Sequence, residues 1–108
     1  MVSVLARNVA CVVYSVEGQN LTADDQYLQI FDSNTIPLNG DEPLYSYLIP
    51  KRLLFSKTLP GVPYGGYGRR MKNGLVIIWS STPETLTIAS AVVGPVYSNG
   101  QDLAPGGA

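Results

Sequence analysis

The apolar residues of this chain fall into short runs divided by turn residues, and no run keeps the 3.6-residue period of an amphipathic helix. The run Val9–Val16 is rich in β-branched residues and closes at Glu17-Gly18-Gln19-Asn20. Gln26–Phe31 alternates, with Leu28 and Ile30 on one face and Tyr27, Gln29 and Phe31 on the other. Turn signals follow at Asp32-Ser33-Asn34, Pro37 and Asn39-Gly40. Leu44–Ile49 closes at Pro50, and Arg52–Lys57 closes at Pro60-Gly61; residues 60–68 read as a glycine-rich loop or a strand edge broken by glycines. Leu75–Ser80, entered through Asn73-Gly74, is the most apolar run. In Glu84–Ser90, Leu86 and Ile88 point one way and Thr85 and Thr87 the other. A last run, Ala91–Tyr97, is interrupted at Gly94-Pro95.

Turn signals at this spacing predict about seven to eight strands, too close together for crossover helices. The expected fold is all-β: a single-domain antiparallel β-sandwich, jelly-roll-like, over residues 1–102, with 103–108 a loose tail. Asp24-Asp25 would start one helical turn at most.

Composition narrows the chemistry. The chain has 108 residues, enough for one domain, and only 14% are charged, against about 25% in ordinary domains. It has no histidine, which removes histidine triads, histidine-ligated metals and histidine acid–base relays. Cys11 is the only cysteine, so there is no intrachain disulfide and no cysteine zinc site; within its apolar run it reads as a small buried hydrophobe. Val9–Val16 is far short of the roughly 20 residues that span a bilayer. Asn8-Val9-Ala10-Cys11 only faintly resembles a lipoprotein cleavage box, and Asn20-Leu21-Thr22 fits the glycosylation pattern without a secretory signal beside it. Cytosolic synthesis followed by assembly is the expected setting.

Charge is segregated although the net value is −1. Residues 17–42 carry Glu17, Asp24, Asp25, Asp32, Asp41 and Glu42 and no base. Residues 51–72 carry Lys51, Arg52, Lys57, Arg69, Arg70 and Lys72 and no acid. The segments either pair across adjacent strands or form two surfaces that meet on neighbouring copies. The net charge gives no pull toward nucleic acid, although Tyr64 and Tyr67 could serve as stacking platforms.

No constellation of an enzyme stands out. Asp24-Asp25 and Asp41-Glu42 could touch a cation but lack the spaced acidic ladder of a calcium loop, and solvated turns explain them. The Tyr64–Arg70 stretch lacks the Gly-Lys-Ser/Thr ending of a phosphate loop. No catalytic, cofactor or metal site is expected. The residue types suited to a protein contact are Tyr64, Tyr67, Arg69 and Arg70, with Tyr45 and Tyr47 next, since tyrosine and arginine are favoured anchors. Tyr45 and Tyr47 share a face that alternation alone leaves as either interior or exterior. Trp79 reads as core.

Tyr27-Leu28-Gln29-Ile30-Phe31-Asp32-Ser33, Ile36-Pro37-Leu38-Asn39-Gly40, Pro43, Ile49-Pro50, Gly68-Arg69-Arg70-Met71, Asn73-Gly74-Leu75-Val76 and Ser80-Ser81-Thr82-Pro83-Glu84-Thr85-Leu86-Thr87 together resemble a group of small tailed-bacteriophage structural proteins. The resemblance spans roughly residues 26–90. It implies a β-sandwich accessory component of the virion, on head, tail or fibre, and no catalytic residues. The expectation is therefore a non-enzymatic virion structural protein, such as a capsid decoration protein. Its partners would be copies of itself and major capsid or tail proteins, without nucleic acid, membrane or cofactor. The alternatives are a carbohydrate-binding or adhesin-type module with exposed tyrosines as its sugar platform, and a small carboxylate-dependent hydrolase.

Overall fold

The computed structural model describes residues 3–59, 68–89 and 94–103, with side chains from Ala6 onward. Its eight strands are β1 (Ser3–Arg7), β2 (Cys11–Gln19), β3 (Gln26–Phe31), β4 (Tyr45–Ile49), β5 (Leu54–Thr58), β6 (Arg69–Met71), β7 (Leu75–Ser80) and β8 (Val96–Asp102). They form two antiparallel sheets, as the alternation predicts. The first has the order β1-β7-β3-β4. The second is built around β2. β8 runs along one edge of it from Cys11 to Gly18, while β6 takes Cys11–Val13 and β5 takes Ser15–Gln19 on the other edge. Among the described residues there is no helix, and Asp24-Asp25 lie in a bend.

The main core lies between the sheets. Cys11, Val13 and Val16 of β2 pack with Leu28 and Ile30 of β3 and with Leu75, Ile77 and Trp79 of β7. The Phe55 ring meets Trp79 edge-on, with centroids 5.7 Å apart and planes at 89°. All six residues of β7 are buried, because its outward residues Val76, Ile78 and Ser80 are covered as well. Val76 and Ile78 join Phe31, Leu86 and Ile88 in a second apolar cluster beneath the segments 36–41 and 82–88.

Hydrogen bonds lock that cover. The Gly40 N–H donates to Leu86 O at 2.8 Å, the Leu86 N–H donates to Asp41 O at 2.9 Å, and the Ile88 N–H donates to Asn39 Oδ1 at 2.9 Å. The buried Gln29 amide donates to Thr82 O at 2.9 Å, tying the cover to β3.

Several boundaries depart from the sequence pattern. Of the expected strand Glu84–Ser90, the described residues 84–89 do not form a strand; one bridge, Ser80 with Ile88, attaches them, and the alternating leucine and isoleucine cap the outside of β7 instead of entering a ladder. β2 continues through Glu17 and Gly18. The glycine serves there as a close-approach point, since a Cβ would collide with the Pro95 carbonyl oxygen. β8 reads as turn chemistry, Ser98-Asn99-Gly100-Gln101, yet pairs along β2. At Gly100 a side chain would strike the Val12 carbonyl. β1 and β6 are also strands that the runs do not mark. Residues 91–93 of the last apolar run lie outside the described residues. So do 104–108 of the expected tail, whose first residue, Leu103, donates its N–H to Ala10 O at 2.9 Å.

Candidate binding surfaces

Of the six contact residues marked by the sequence, Tyr64 and Tyr67 lie outside the described residues. Arg69 and Arg70 lie on β6, opposite Val13 and Val12 of β2. Arg70 is exposed on the solvent face, while Arg69 lies on the face that also carries Met71 and is half-buried. Tyr45 and Tyr47 turn inward. They are half-buried against the main core, their rings stack with centroids 6.0 Å apart and planes at 6°, and Lys57 Nζ lies 5.6 Å from the centre of the Tyr47 ring. Burial, and secondarily the neighbouring Tyr45, raises the pKa of the Tyr47 hydroxyl. The strand's outward residues are Ser46 and Leu48, with exposed Leu44 just before it.

The acidic and basic segments do meet, but through the backbone. Asp25 Oδ1 accepts the Lys51 N–H at 2.9 Å; Asp32 accepts the Lys72 and Asn73 N–H groups at 2.9 and 2.8 Å. Such carboxylate caps hold the turns at both ends of the sandwich. Among the described residues the one ion pair is Arg7–Asp102 at 2.7 Å.

Register defines two poles. Gln26 pairs with Ile49 and Gly18 with Val96, so the 20–25 loop, the 50–53 turn and the start of β8 share one end. The 32–44 loop leaves β3 at the other end, where Asp32 holds the 72–73 turn.

Each pole carries an open concavity with exposed apolar rims. At the 32–44 pole a groove of about 680 Å³ runs between Phe31, Pro37, Leu38 and Leu44, with Asp32, Asp41 and Glu42 along it. Leu38 is 74% exposed, and the Asp41 carboxylate accepts the Leu38 N–H at 3.0 Å. At the other pole a concavity of about 520 Å³ lies between Leu54, Phe55 and Tyr97, with Glu17 and Ser56 beside it. There Leu54 is 72% and Tyr97 64% exposed. A smaller hollow of about 320 Å³ lies among Thr22, Asp24, Gln26 and Thr87.

No known protein family, curated protein or solved structure matches this chain. The reading of its surfaces rests on the residues themselves.

Two of the sequence's chemical candidates resolve into structure. Asn20 is fully buried: its amide donates to Asp24 O at 2.9 Å and Ile49 O at 3.0 Å, and its oxygen accepts the Thr22 N–H and hydroxyl. The Asn-Leu-Thr pattern therefore builds a loop anchor. Cys11 is fully buried, and loss of solvation pushes its thiol up to about 11, so little nucleophilic thiolate forms near neutrality. Among the described residues no group of three acidic or cysteine side chains is placed to hold a metal ion.

The exposed Leu54 has a legible signal in the sequence. Leu53-Leu54-Phe55 puts three apolar residues in a row at the start of a strand with one buried face, so alternation must turn Leu54 outward when Phe55 turns in.

Proposed function

We propose that this protein is a non-enzymatic structural component of a bacteriophage particle, a capsid decoration or other head or tail accessory protein that binds repeated sites. The observation that carries this reading is the placement of the exposed apolar side chains. Leu38 at one pole and Leu54 and Tyr97 at the other stand in solvent beside open concavities, as suits a protein that works in contact with neighbours. The tightly packed interior supplies a rigid carrier for those contacts. The resemblance of residues 26–90 to small tailed-phage structural proteins supports the same reading and suggests the particle.

The test is binding of the isolated protein to particles assembled without it, read by co-sedimentation. Saturable binding at a fixed number of copies per particle, with the Tyr64–Arg70 stretch protected on binding, is the expected result. A protein absent from purified particles and unable to bind them sinks the proposal.

A second reading, a carbohydrate-binding or adhesin-type module, draws on Tyr97. Its exposed ring borders a concavity with Glu17 and Ser56, a stacking surface beside polar groups. Binding to a glycan array that is lost in Tyr97→Ala would favour it over the particle reading.

A further inference from the structure

We infer that copies of this chain associate head to tail, with the Lys51–Leu54 turn of one copy seated in the Asp32–Leu44 groove of the next. This gives one partner of the proposed particle protein a place on its surface, but the contact stands on its own observations.

The two surfaces complement each other. The turn presents Lys51 and Arg52 next to Leu53, 49% exposed, and Leu54, 72% exposed. The groove presents Asp32, Asp41 and Glu42 next to Ile36, Leu38 and Leu44, all three exposed at 43% or more. One surface is a protruding turn and the other a concavity. They lie at opposite ends of β4, so a copy cannot fill its own groove.

Charge near the turn is arranged to leave its cations outward. Asp25, the nearest carboxylate in sequence register, is held on the Lys51 N–H, and among the described residues no ion pair engages Lys51 or Arg52. Glu17 and Asp24 share that pole, so the attraction belongs to the turn and not to the pole as a whole.

Arg52 also has a positive φ of 65°, the one described residue other than glycine with that backbone. A left-handed conformation is easy for glycine and unfavourable for arginine. Its guanidinium donates to Leu21 O, which braces the turn. A costly residue kept at the tip of a protruding turn fits a contact made there. Because turn and groove are different surfaces, the contact is heterologous and continues past two copies, into a ring if the rotation closes and an open chain if it does not.

The test is the solution mass of the full chain by analytical ultracentrifugation over a range of concentrations at low salt. Wild type, Lys51→Glu, Glu42→Lys and an equimolar mixture of the two variants are compared, with circular dichroism confirming that each is folded. Wild type should grow past the dimer as concentration rises, and less so at high salt. Each charge swap should weaken association about tenfold. The mixture should recover it, because the intact turn of one variant meets the intact groove of the other.

Arg52→Gly relieves the positive φ, so it should keep or raise thermal stability while weakening association. A wild type that stays monomeric, a mass that stops at the dimer, or association unchanged by these substitutions overturns the inference. Particle binding is read separately. A self-associating protein that binds no particle counts against the proposed function alone, whereas a monomer that binds particles counts against this contact alone.

Discussion

Truncating Leu86 tests whether the cover on the first sheet is a true second core. Leu86 is 1% exposed and packs on Phe31, Val76, Ile78 and Ile88, and its backbone bonds both ways with the 40–41 turn. Leu86→Ala removes three carbons, which at about 0.8 kcal/mol each gives about 2.4 kcal/mol of lost burial. The vacated space adds to this, while the connecting segment that carries Leu86 can settle inward and recover some of it. The expected loss is therefore about 2–4 kcal/mol, a large part of the roughly 5–15 kcal/mol that holds a domain of this size folded.

Urea unfolding followed by the fluorescence of Trp79, the only tryptophan and a core residue, reads this directly. The midpoint should fall with the slope unchanged; the melting temperature should drop by about 10–20 °C. Leu38→Ala is the companion: its side chain is 74% exposed on the same cover, so it should cost under about 0.5 kcal/mol. If the two substitutions prove equally mild, the second cluster contributes nothing and the argument for a doubly covered sheet fails.

Other outcomes follow from single residues. Gly100→Ala drives a methyl group into the Val12 carbonyl and should cost about 2–3 kcal/mol by chemical denaturation, while β8 is retained if alanine is placed instead at exposed Asn99. Asn20→Ala takes the side-chain donor from the Ile49 carbonyl and the acceptor from the Thr22 N–H and should cost about 2–3 kcal/mol, with faster amide exchange in the 20–25 loop as its local sign. The Cys11 thiol should resist an aromatic disulfide reagent in the native protein and react on unfolding; rapid native labelling would contradict its burial. Its pKa is raised from 9.0 to about 11 on folding. The unfolded chain therefore loses the proton first as pH rises. The stability is fully present below pH 9 and is lost between pH 9 and 11, by about 3 kcal/mol at most. Tyr47 shifts in the same direction, so the difference between wild type and Cys11→Ala isolates the thiol's share.

Where a strand has a buried neighbour on its inner face, its own residues announce it. Gln26–Phe31 and Leu75–Ser80 have the same limits in the pattern and in the structure, because Leu28, Ile30, Ile77 and Trp79 must all reach one core. β8 could not be read this way. Its Ser98-Asn99-Gly100-Gln101 sequence has the residues of a turn and becomes a strand only because β2 offers an unpaired edge. Leu86 and Ile88 were readable as one apolar face, but periodicity cannot say whether that face joins a sheet or lies on one. The inward turn of Tyr45 and Tyr47 depends on which side the second sheet occupies, a long-range fact that five alternating residues do not contain. The poles were hidden for a similar reason, since the groove and the protruding turn are defined by register between distant segments.

The position of β7 has a consequence for how the chain comes to life on a ribosome. Ser3 pairs with Ile78, so β1 has no partner until β7, about 70 residues later, has been synthesised. At roughly 5–20 residues per second this leaves β1 waiting for several seconds. Closure then joins two strands far apart in sequence, a topology that favours slow and late folding.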